Sequence, residues 1–321
     1  MSAARVLVTG ASGFIGTWVL RELLDRDASV VALDVRPATG RWSRVIGAKA
    51  KDILFADAPL TDRDALRAVI ETHGVTHVIH LAALLTPDCQ QDPFRGCQVN
   101  VLGSTAVFDA VRLAGSVRAI SFASSYAVYG EGGSSASQPP MFYGAFKQAV
   151  DAIAGQYWRH FGLRSLAIRP HVVYGPERES GLTAGPSLAC RAAVRGENYE
   201  IGYTGIAGYD YVEDVARAFV RGVLECPAGA TVADLPGEPA ATHEIVQHIQ
   251  RCCPGATGRI TASGPAIPSN VPPAPRDIRQ VLPGWEPTSL ASGIARTLAY
   301  YRRTNGIGVP TNPVAAEGDV P

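Results

Sequence analysis

The sequence lacks an excess of charge of either sign, and it lacks long hydrophobic runs. Its 321 residues include 29 Lys and Arg against 29 Asp and Glu, so the formal net charge is zero. No run of basic residues occurs, and we therefore expect no surface for nucleic acid or for an anionic membrane. No apolar stretch reaches the length of a membrane span, and no charged leader precedes the first strand-like segment. These absences predict a cytoplasmic protein.

Metal-binding spacings are missing as well. The six cysteines stand at 89, 97, 190, 226, 252 and 253, without a Cys-x-x-Cys pair. The adjacent Cys252 and Cys253 have poor geometry for one metal ion. His77 and His80 are an odd number of positions apart in a strand-like run, so they point to opposite faces. We expect reduced thiols and no metal site.

The first half of the sequence alternates between apolar strand-like runs and helical patterns. The strand-like runs lie at 5–9, 29–34, 51–56, 77–82, 117–123 and 164–169, and the helical patterns at 14–26, 62–73, 93–114 and 143–162. Because the strands are continuously apolar, the pattern predicts a parallel sheet covered on both faces. The predicted fold class is α/β, with a Rossmann-type doubly wound parallel sheet.

The character of the sequence changes after about residue 175. Glycine and proline become more frequent, and the helical patterns at 186–195, 213–225 and 242–252 are shorter, followed by an amphipathic one near 288–303. We predict an NAD-binding domain over 1–174, a smaller substrate-binding lobe interlocked with it over 175–303, and a flexible tail over 304–321. Ligands of open α/β sheets bind at the C-terminal ends of the strands, where this lobe would lie.

The most informative segment is RVLVTGASGFIG at 5–16. An apolar strand runs into Gly10, Gly13 and Gly16, and a helical pattern begins there. Glycines let the backbone approach phosphate groups, and a helix N-terminus supplies free N–H groups and the positive end of the helix dipole. The next strand, VVALD, ends at Asp34, 18 residues beyond Gly16, where an acidic residue can meet the adenosine ribose. The segment predicts a dinucleotide site.

The charges near this site bear on the choice of cofactor. Asp34 favours NAD, because a carboxylate accepts hydrogen bonds from the ribose hydroxyls and repels a 2′-phosphate. Arg36 could pair with that phosphate in a rotated arrangement, so tolerance of NADP stays open.

A second segment, YGAFK at 143–147, is the candidate for catalysis. Tyr143 and Lys147 are four residues apart on a predicted helix, and hence on one face. A phenol has an unperturbed pKa of about 10, and a nearby ammonium with a positively charged nicotinamide lowers it toward neutral pH. Such a Tyr can take a proton from a substrate hydroxyl. Ser124 and Ser125, at the end of a predicted strand, supply a second hydroxyl to orient the substrate oxygen.

Together these segments resemble the extended short-chain dehydrogenase/reductase family, which includes nucleotide-sugar epimerases and dehydratases. The resemblance covers about residues 4–302. It rests on TGASGFIG, the strand end at Asp34, Asp57, HLAAL at 80–84, Asn100 in QVNVLGS, SSYAVYG, YGAFK, RPHVVYGPE, YVEDVARA and GWEP at 284–287. It implies Tyr143 as acid/base, Lys147 between Tyr143 and the nicotinamide ribose, and Ser125 as partner of the substrate hydroxyl.

The resemblance also implies a cofactor site and a substrate site. The cofactor residues are Gly10, Ser12, Gly13, Phe14, Ile15, Gly16, Asp34, Arg36, Asp57, Ala58, Leu81, Ala82, Ala83, Asn100, Tyr143, Lys147, Pro170 and Val172. Of these, Asp57 and Ala58 would lie near the adenine, and the segment from Pro170 to Val172 would hold the carboxamide. The substrate candidates are Leu84, Ser124, Ser125, His171, Arg178 and Tyr209. His171 could instead form part of the pocket wall, and Arg178 could form a solvated loop pair with Glu179.

Departures from the family pattern narrow the activity. Tyr126 and Ala127 stand where dehydratases carry Asp-Glu and where decarboxylating members carry Glu, so both of those activities are disfavoured. Val172 and Ala207 stand where nucleotide-sugar enzymes often carry Asn and Arg, so we expect a substrate without a nucleoside diphosphate.

Three functions follow, in order of preference. The first is an NAD-dependent oxidoreductase acting on a secondary alcohol of a sugar, sugar acid or related polyol. The second is an NAD-dependent sugar or nucleotide-sugar 4-epimerase, which retains the hydride and leaves no net redox product. The third is a non-catalytic dinucleotide sensor, which would have no use for the Tyr-Lys-Ser set. A homodimer through the helices near 93–114 and 143–162 is implied by the resemblance alone.

Overall fold

A computed structural model describes residues 4–130, 139–267 and 276–304. The strands are β1 (Arg5–Thr9), β2 (Ser29–Leu33), β3 (Leu54–Ala56), β4 (His77–His80), β5 (Ala119–Ala123), β6 (Ser165–Arg169), β7 (Val172–Tyr174), β8 (Tyr199–Ile201), β9 (Ile206–Tyr211), β10 (Ala230–Asp234), β11 (Glu238–Ala241) and β12 (Ile260–Ala262). The α-helices are α1 (Phe14–Asp25), α2 (Thr39–Ile46), α3 (Arg63–Thr72), α4 (Thr86–Gln91), α5 (Pro93–Cys97), α6 (Ser104–Ala114), α7 (Phe142–Phe161), α8 (Gly185–Arg195), α9 (Val212–Leu224), α10 (Thr242–Cys252), α11 (Ile278–Val281) and α12 (Leu290–Thr304).

The main sheet is parallel throughout its seven strands, in the order β10-β6-β5-β4-β1-β2-β3. Strands 3-2-1-4-5-6 of this order are the Rossmann arrangement. The order reverses between β1 and β4, and ligands of such sheets bind at the strand ends beside this switch point. The predicted fold class is confirmed.

The two faces of the sheet are covered as the continuously apolar strands require. On β1, Val6 and Val8 pack with Trp18 of α1 and Phe219 of α9, while Leu7 points to the opposite face. That opposite face is covered by buried residues of α3, α6 and α7. Alternate residues of one strand therefore fill two separate cores.

The second half of the chain interlocks with the first. A smaller sheet joins β7, β9 and β11, and a two-stranded one joins β8 and β12. From the range 175–303, however, α9 packs on α1 and β10 pairs with β6 in the main sheet. The range 175–303 therefore does not form a separate unit, because part of it completes the main sheet.

Several local features depart from the sequence expectations. The helical pattern at 93–114 is α5 and α6 joined by a π-helical segment, Gln98–Gly103. The helices α2 and α4 were not predicted. The predicted tail lies outside the described residues apart from Thr304. No helix in the described ranges is both long and apolar enough to cross a membrane.

Candidate active site

The turn after β1 forms a cradle at the switch point. Gly10 has φ +69°, and a Cβ there would lie 2.7 Å from the backbone nitrogen of Ala82. A Cβ on Gly16 would lie 2.1 Å from the carbonyl oxygen of Gly10. Both positions therefore exclude any side chain. The first intrahelical bond of α1 runs from the N–H of Thr17 to the carbonyl of Gly13, so the amides of residues 14–16 precede it at the helix N-terminus.

Asp34 closes one side of this cradle. Its carboxylate accepts hydrogen bonds from the backbone N–H of Ser12 at 2.9 Å and of Val35 at 2.8 Å. The Ser12 hydroxyl donates to the carbonyl of Arg36 at 2.6 Å, while the Arg36 residue is exposed. These bonds fix the strand end of β2 against the glycine turn. The position is the one a ribose-binding carboxylate requires.

The segment after β4 forms the opposite wall of the cradle. Leu81, Ala82 and Ala83 are partly exposed there, with the Ala82 backbone against Gly10. The side-chain amide of Asn100 is hydrogen-bonded to the protein backbone and is not directed at a cofactor. It accepts from the N–H of Leu84 at 2.7 Å and donates to the carbonyl of Leu84 at 3.0 Å. Asn100 therefore holds the loop backbone, as the irregular hydrogen bonding of its π-helical segment permits.

Other predicted cofactor residues also lie at strand ends of the main sheet. Asp57 is exposed and Ala58 is buried just after β3. Pro170 follows β6, and its carbonyl accepts a hydrogen bond from the N–H of Tyr126 at 3.1 Å. Val172 begins β7 and is partly exposed.

Ser125, Tyr143 and Lys147 come together at the same edge. The Ser125 hydroxyl lies close enough to the Tyr143 phenol to lower the pKa of that phenol. The Ser125 Oγ also accepts from the N–H of Ala127 at 3.1 Å, which fixes its position. The Lys147 Nζ lies 5.6 Å from the centre of the Tyr143 ring and donates to the carbonyl of Ala123 at 2.6 Å. The predicted catalytic set is thus assembled in space.

The electrostatics of this set are dominated by burial. Burial raises the pKa of Tyr143 to about 12, against the lowering effects of the Ser125 hydrogen bond and of the positive charge on Arg178. Burial lowers the pKa of Lys147 to about 8, and the negative charge of Asp151 opposes that shift. A positive charge brought close to the phenol would favour the phenolate and so make Tyr143 a base.

Ser124 is not part of this set, contrary to the expectation that it contacts substrate. Its side chain is buried, and its hydroxyl donates to Oδ2 of Asp151 at 2.9 Å. Arg169 donates to the same oxygen from Nη2 at 2.7 Å and from Nε at 3.1 Å. Successive residues of an extended strand point to opposite sides, so one of two adjacent serines meets the core and the other the site.

Two further substrate candidates pack against the protein, His171 partly and Tyr209 fully buried. The His171 ring stacks on Tyr126, with centroids 3.6 Å apart, and burial lowers its pKa to about 4. A Cβ on Gly208 would lie 2.6 Å from Nδ1 of His171, so the ring fills space that glycine leaves. Tyr209 is buried, with its ring edge-on to Tyr174. The wall interpretation of His171 is favoured, and Tyr209 is a core residue.

Arg178, by contrast, is partly exposed, and its charge acts on the candidate acid/base Tyr143. Its positive charge lowers the pKa of Tyr143, and its guanidinium donates to the carbonyl of Val173 and to Oγ1 of Thr183, the latter at 2.9 Å. Leu84 is partly exposed on the loop held by Asn100.

The helix α2, which the sequence did not predict, supports the glycine turn. Arg41 donates to the carbonyl of Ser12 at 2.7 Å, and Trp42 donates to the carbonyl of Ala11 at 3.2 Å. Both residues brace the glycine turn from outside. The spacing of Trp42 and Val45 on one helical face was the available signal, but a short segment after Pro37 gives it little weight. In the described ranges, no cluster of three or more His, Cys, Asp or Glu could hold a metal ion.

Comparison with known proteins agrees with this geometry. The model of the NAD dependent epimerase/dehydratase family matches residues 6–231. The UDP-glucose 4-epimerase of Mycolicibacterium smegmatis is 31% identical, with 93% of this chain and 98% of that protein covered. UDP-glucuronate 4-epimerase 4 of Arabidopsis thaliana is 31% identical over 53% of this chain and 42% of that protein.

A solved structure adds to these relatives. MoeE5 in complex with UDP-glucose and NAD is 28% identical and superposes with a TM-score of 0.77. The match covers 94% of this chain and 100% of that one. The glycine cradle and the carboxylate of Asp34 fit the pyrophosphate and ribose of NAD. The chain therefore belongs to the NAD-dependent epimerase/dehydratase family of extended short-chain dehydrogenases/reductases, and it is an enzyme with NAD as its cofactor.

Proposed function

We propose that this enzyme is a sugar 4-epimerase, which inverts the configuration at one secondary alcohol and releases no oxidised product. The observation that carries the proposal is its likeness to a UDP-glucose 4-epimerase over nearly the full length of both proteins. The likeness favours epimerisation over the net oxidation of a polyol, which the sequence alone placed first. An intact Ser125–Tyr143–Lys147 set also speaks against a dinucleotide sensor.

The chemistry follows from the residues at the sheet edge. NAD, when bound, supplies the hydride acceptor and donor. Oη of Tyr143 takes the proton of the substrate hydroxyl and later returns it, while the Ser125 hydroxyl holds the substrate oxygen. Lys147 lies beside the Tyr143 ring and favours its phenolate, since an ammonium stabilises the negative charge. Epimerisation requires that the keto sugar turn before the proton returns.

The surroundings of Ser125 support epimerisation over dehydration. Elimination of water needs a further acid and base beside the reacting carbon. Tyr126 is buried, and its ring is packed between His171 and Tyr129. Ala127 has no ionisable group. Among the described residues next to Ser125, Tyr143 is therefore the group placed to transfer a proton, which is what a 4-epimerase needs.

The site residues and the relatives lead to different expectations for the nucleotide part of the substrate. The named relatives act on UDP-sugars. Val172 and the buried Ala207 are apolar, and His171 fills the space over Gly208, so these positions offer no cation to a diphosphate. We take a UDP-sugar as the first substrate to test because of the relatives, with the free sugar as its counterpart.

The enzyme we propose is a homodimer. Phe94, Leu102, Phe142, Trp158 and Phe161 are exposed along α5, the π-helical segment and α7. These segments pack side by side, and we propose that their exposed apolar side chains contribute to one interface. An apolar face of this kind is best covered by a second copy of the same face.

The test of function is a product analysis under cofactor-limited conditions. The purified enzyme with NAD is incubated separately with UDP-glucose, UDP-galactose, UDP-glucuronate and UDP-galacturonate, and with the corresponding free sugars, and the sugars are separated by chromatography. We expect one pair to interconvert without a rise in NADH absorbance. Stoichiometric accumulation of NADH with a keto or acid product would contradict epimerisation and restore the oxidoreductase.

A further inference from the structure

The loop between β7 and α8 carries three consecutive charges, Glu177, Arg178 and Glu179, and they face different surroundings. Glu177 is buried and pairs with Arg44 at 2.5 Å, and it also accepts from the Tyr300 hydroxyl at 3.0 Å. Glu179 pairs with Arg41 at 2.7 Å. Both acids are thus neutralised by arginines of α2 rather than by Arg178.

Among the residues that the structure describes, Arg178 has no acidic partner. Within the ranges that the structure describes, no carboxylate lies within 4.0 Å of its guanidinium. Burial lowers the pKa of Arg178 to about 10, and the groups that oppose this shift are the phenols of Tyr203 and Tyr143. A partly buried cation normally has an anionic partner, because removing its charge from water is costly.

The position of Arg178 is fixed by neutral groups. Its Nη1 donates to the carbonyl of Val173, and its Nη2 donates to Oγ1 of Thr183. Gly181, with φ +99°, brings the loop close to both Arg178 and Leu85, since a Cβ there would lie 3.4 Å from one and 3.5 Å from the other. A guanidinium has five N–H donors, so this anchoring leaves donors for a ligand.

The loop after β4 and the strand β7 place this cation at the edge of the sheet that carries the glycine cradle, because Gly181 brings it near Leu85 and its guanidinium donates to Val173. Leu85 follows Leu84, whose backbone is held by Asn100, on the loop after β4. Tyr143 lies close enough to Arg178 for the positive charge to lower the pKa of its phenol. A group bound to Arg178 would therefore lie at the same edge of the sheet as the hydroxyl that meets Tyr143.

We propose that Arg178 binds a carboxylate of the substrate, so that the preferred sugars are hexuronates. In a hexuronate the carboxyl carbon is attached to C5, adjacent to the carbon whose hydroxyl reacts in 4-epimerisation. A guanidinium pairs with a carboxylate through two parallel hydrogen bonds, which a neutral hydroxymethyl group cannot form. The inference rests on the proposed function for the placement of the reacting hydroxyl at Tyr143.

The test compares charged and neutral ligands on wild-type enzyme and on two Arg variants. Calorimetry measures binding of UDP-glucuronate and UDP-glucose, and of free glucuronate and glucose, to the NAD-loaded protein. Arg178→Gln removes the charge but keeps an amide donor for Val173. Arg259→Gln is the matched control, because Arg259 is an exposed arginine that also donates to a backbone carbonyl, that of Gly196, at 2.8 Å.

We expect the wild type to bind the uronate at least about 10-fold more tightly than the neutral sugar, in line with a charge-assisted hydrogen bond. Arg178→Gln should abolish that preference with NAD affinity and thermal unfolding retained, Arg178→Lys should keep part of it, and Arg259→Gln should keep all of it. Equal binding of both ligands by wild type, binding of neither uronate, or a preference that survives in Arg178→Gln would overturn the inference.

Turnover separates this inference from the proposed function. If the uronate binds through Arg178 but no pair of sugars interconverts, the epimerase proposal fails and the carboxylate site stands. If a neutral pair interconverts and the uronates do not bind, the epimerase stands and the carboxylate site is wrong.

Discussion

The hydroxyl of Ser124 donates to Oδ2 of Asp151 at 2.9 Å, whereas the Oγ of its neighbour Ser125 accepts from the N–H of Ala127 at 3.1 Å and lowers the pKa of the Tyr143 phenol. Ser124 thus binds a residue of the interior, and Ser125 lies in the candidate site. We expect Ser125→Ala to lower turnover by about 10²-fold, comparable to the loss of one donor to a reacting oxygen. Ser124→Ala should leave turnover close to wild type but lower the free energy of unfolding by about 1–3 kcal/mol, because Asp151 loses a donor. Steady-state kinetics and urea unfolding of both variants decide it, and equal kinetic effects would show that the assignment of the two serines is wrong.

Removal of the Tyr143 hydroxyl should stop proton transfer. We expect Tyr143→Phe to lower turnover by about 10²-fold or more, the usual contribution of a general acid or base. NAD affinity should change little. Tyr157→Phe is the control, because Tyr157 lies on the same helix but packs against Phe108 and Phe161. Near-normal turnover in the Tyr143→Phe variant would exclude Tyr143 as the base.

The Asp34 carboxylate should determine the choice between NAD and NADP. Asp34→Ala removes a hydrogen-bond acceptor for the ribose and a repulsion toward a 2′-phosphate. The ratio of the affinities for NAD and NADP should therefore become smaller. The exposed Arg36 is then free to pair with the phosphate. Fluorescence titration with both cofactors measures this, and Asp52→Ala, an exposed change outside the cradle, is the control. Equal affinity of the wild type for both cofactors would refute it.

Stability should fall in mild acid because of His80. This imidazole is buried between Oγ1 of Thr9 at 2.6 Å and Oγ of Ser104 at 2.9 Å, and burial lowers its pKa from 6.5 to about 3. Between these two pH values the unfolded chain binds a proton that the folded chain does not, so stability decreases as the pH falls. We expect the Tm to drop between pH 7 and pH 4.

The variant His80→Gln isolates this contribution. It should be less stable at pH 7, because the buried hydrogen bonds of His80 to Thr9 and Ser104 are disturbed. Its Tm should nevertheless depend less on pH. Some dependence should persist, since burial also lowers the pKa values of His77 and His171. The exposed His243→Gln should keep the wild-type slope. An unchanged slope in His80→Gln would speak against the buried neutral imidazole.

Self-association should depend on the apolar face along α7. Trp158 and Phe161 are exposed near the end of that helix. We expect sedimentation to show a dimer for the wild type and a monomer or a weakened dimer for Phe161→Glu, because burying a carboxylate at a self-complementary interface is costly. A monomeric wild type at micromolar concentration would contradict the dimer.

Much of the nucleotide-binding half was predictable because its signals are local. Apolar runs define the strands of the parallel sheet. Glycine is required at 10 and 16 because a Cβ there would lie 2.7 and 2.1 Å from neighbouring backbone atoms. Tyr143 and Lys147 share a face because a helix places residues four apart together. The unpredicted helix α2 has a short pattern, and its role in bracing the glycine turn depends on contacts with a segment distant in sequence.

The lobe was harder to predict because its contacts are long-range. No local rule distinguishes Ser124 from Ser125 until Asp151 and Arg169 are placed beneath the strand. Nor does the sequence show that His171 fills the space over Gly208, or that β10 returns to pair with β6. These outcomes depend on which distant segments pack together.

The sequence by itself determined the dinucleotide cradle, the parallel sheet and the shared helical face of Tyr143 and Lys147, because turn geometry and helical or strand periodicity act over a few residues. Only the tertiary structure decided which charges of the described residues pair with one another. The sequence Glu177-Arg178-Glu179 reads as a loop of compensating charges, but in the fold both acids pair with α2 and the guanidinium donates to Val173 and Thr183. Electrostatic pairing depends on distance in space and on burial, and neither is set by neighbours in the chain.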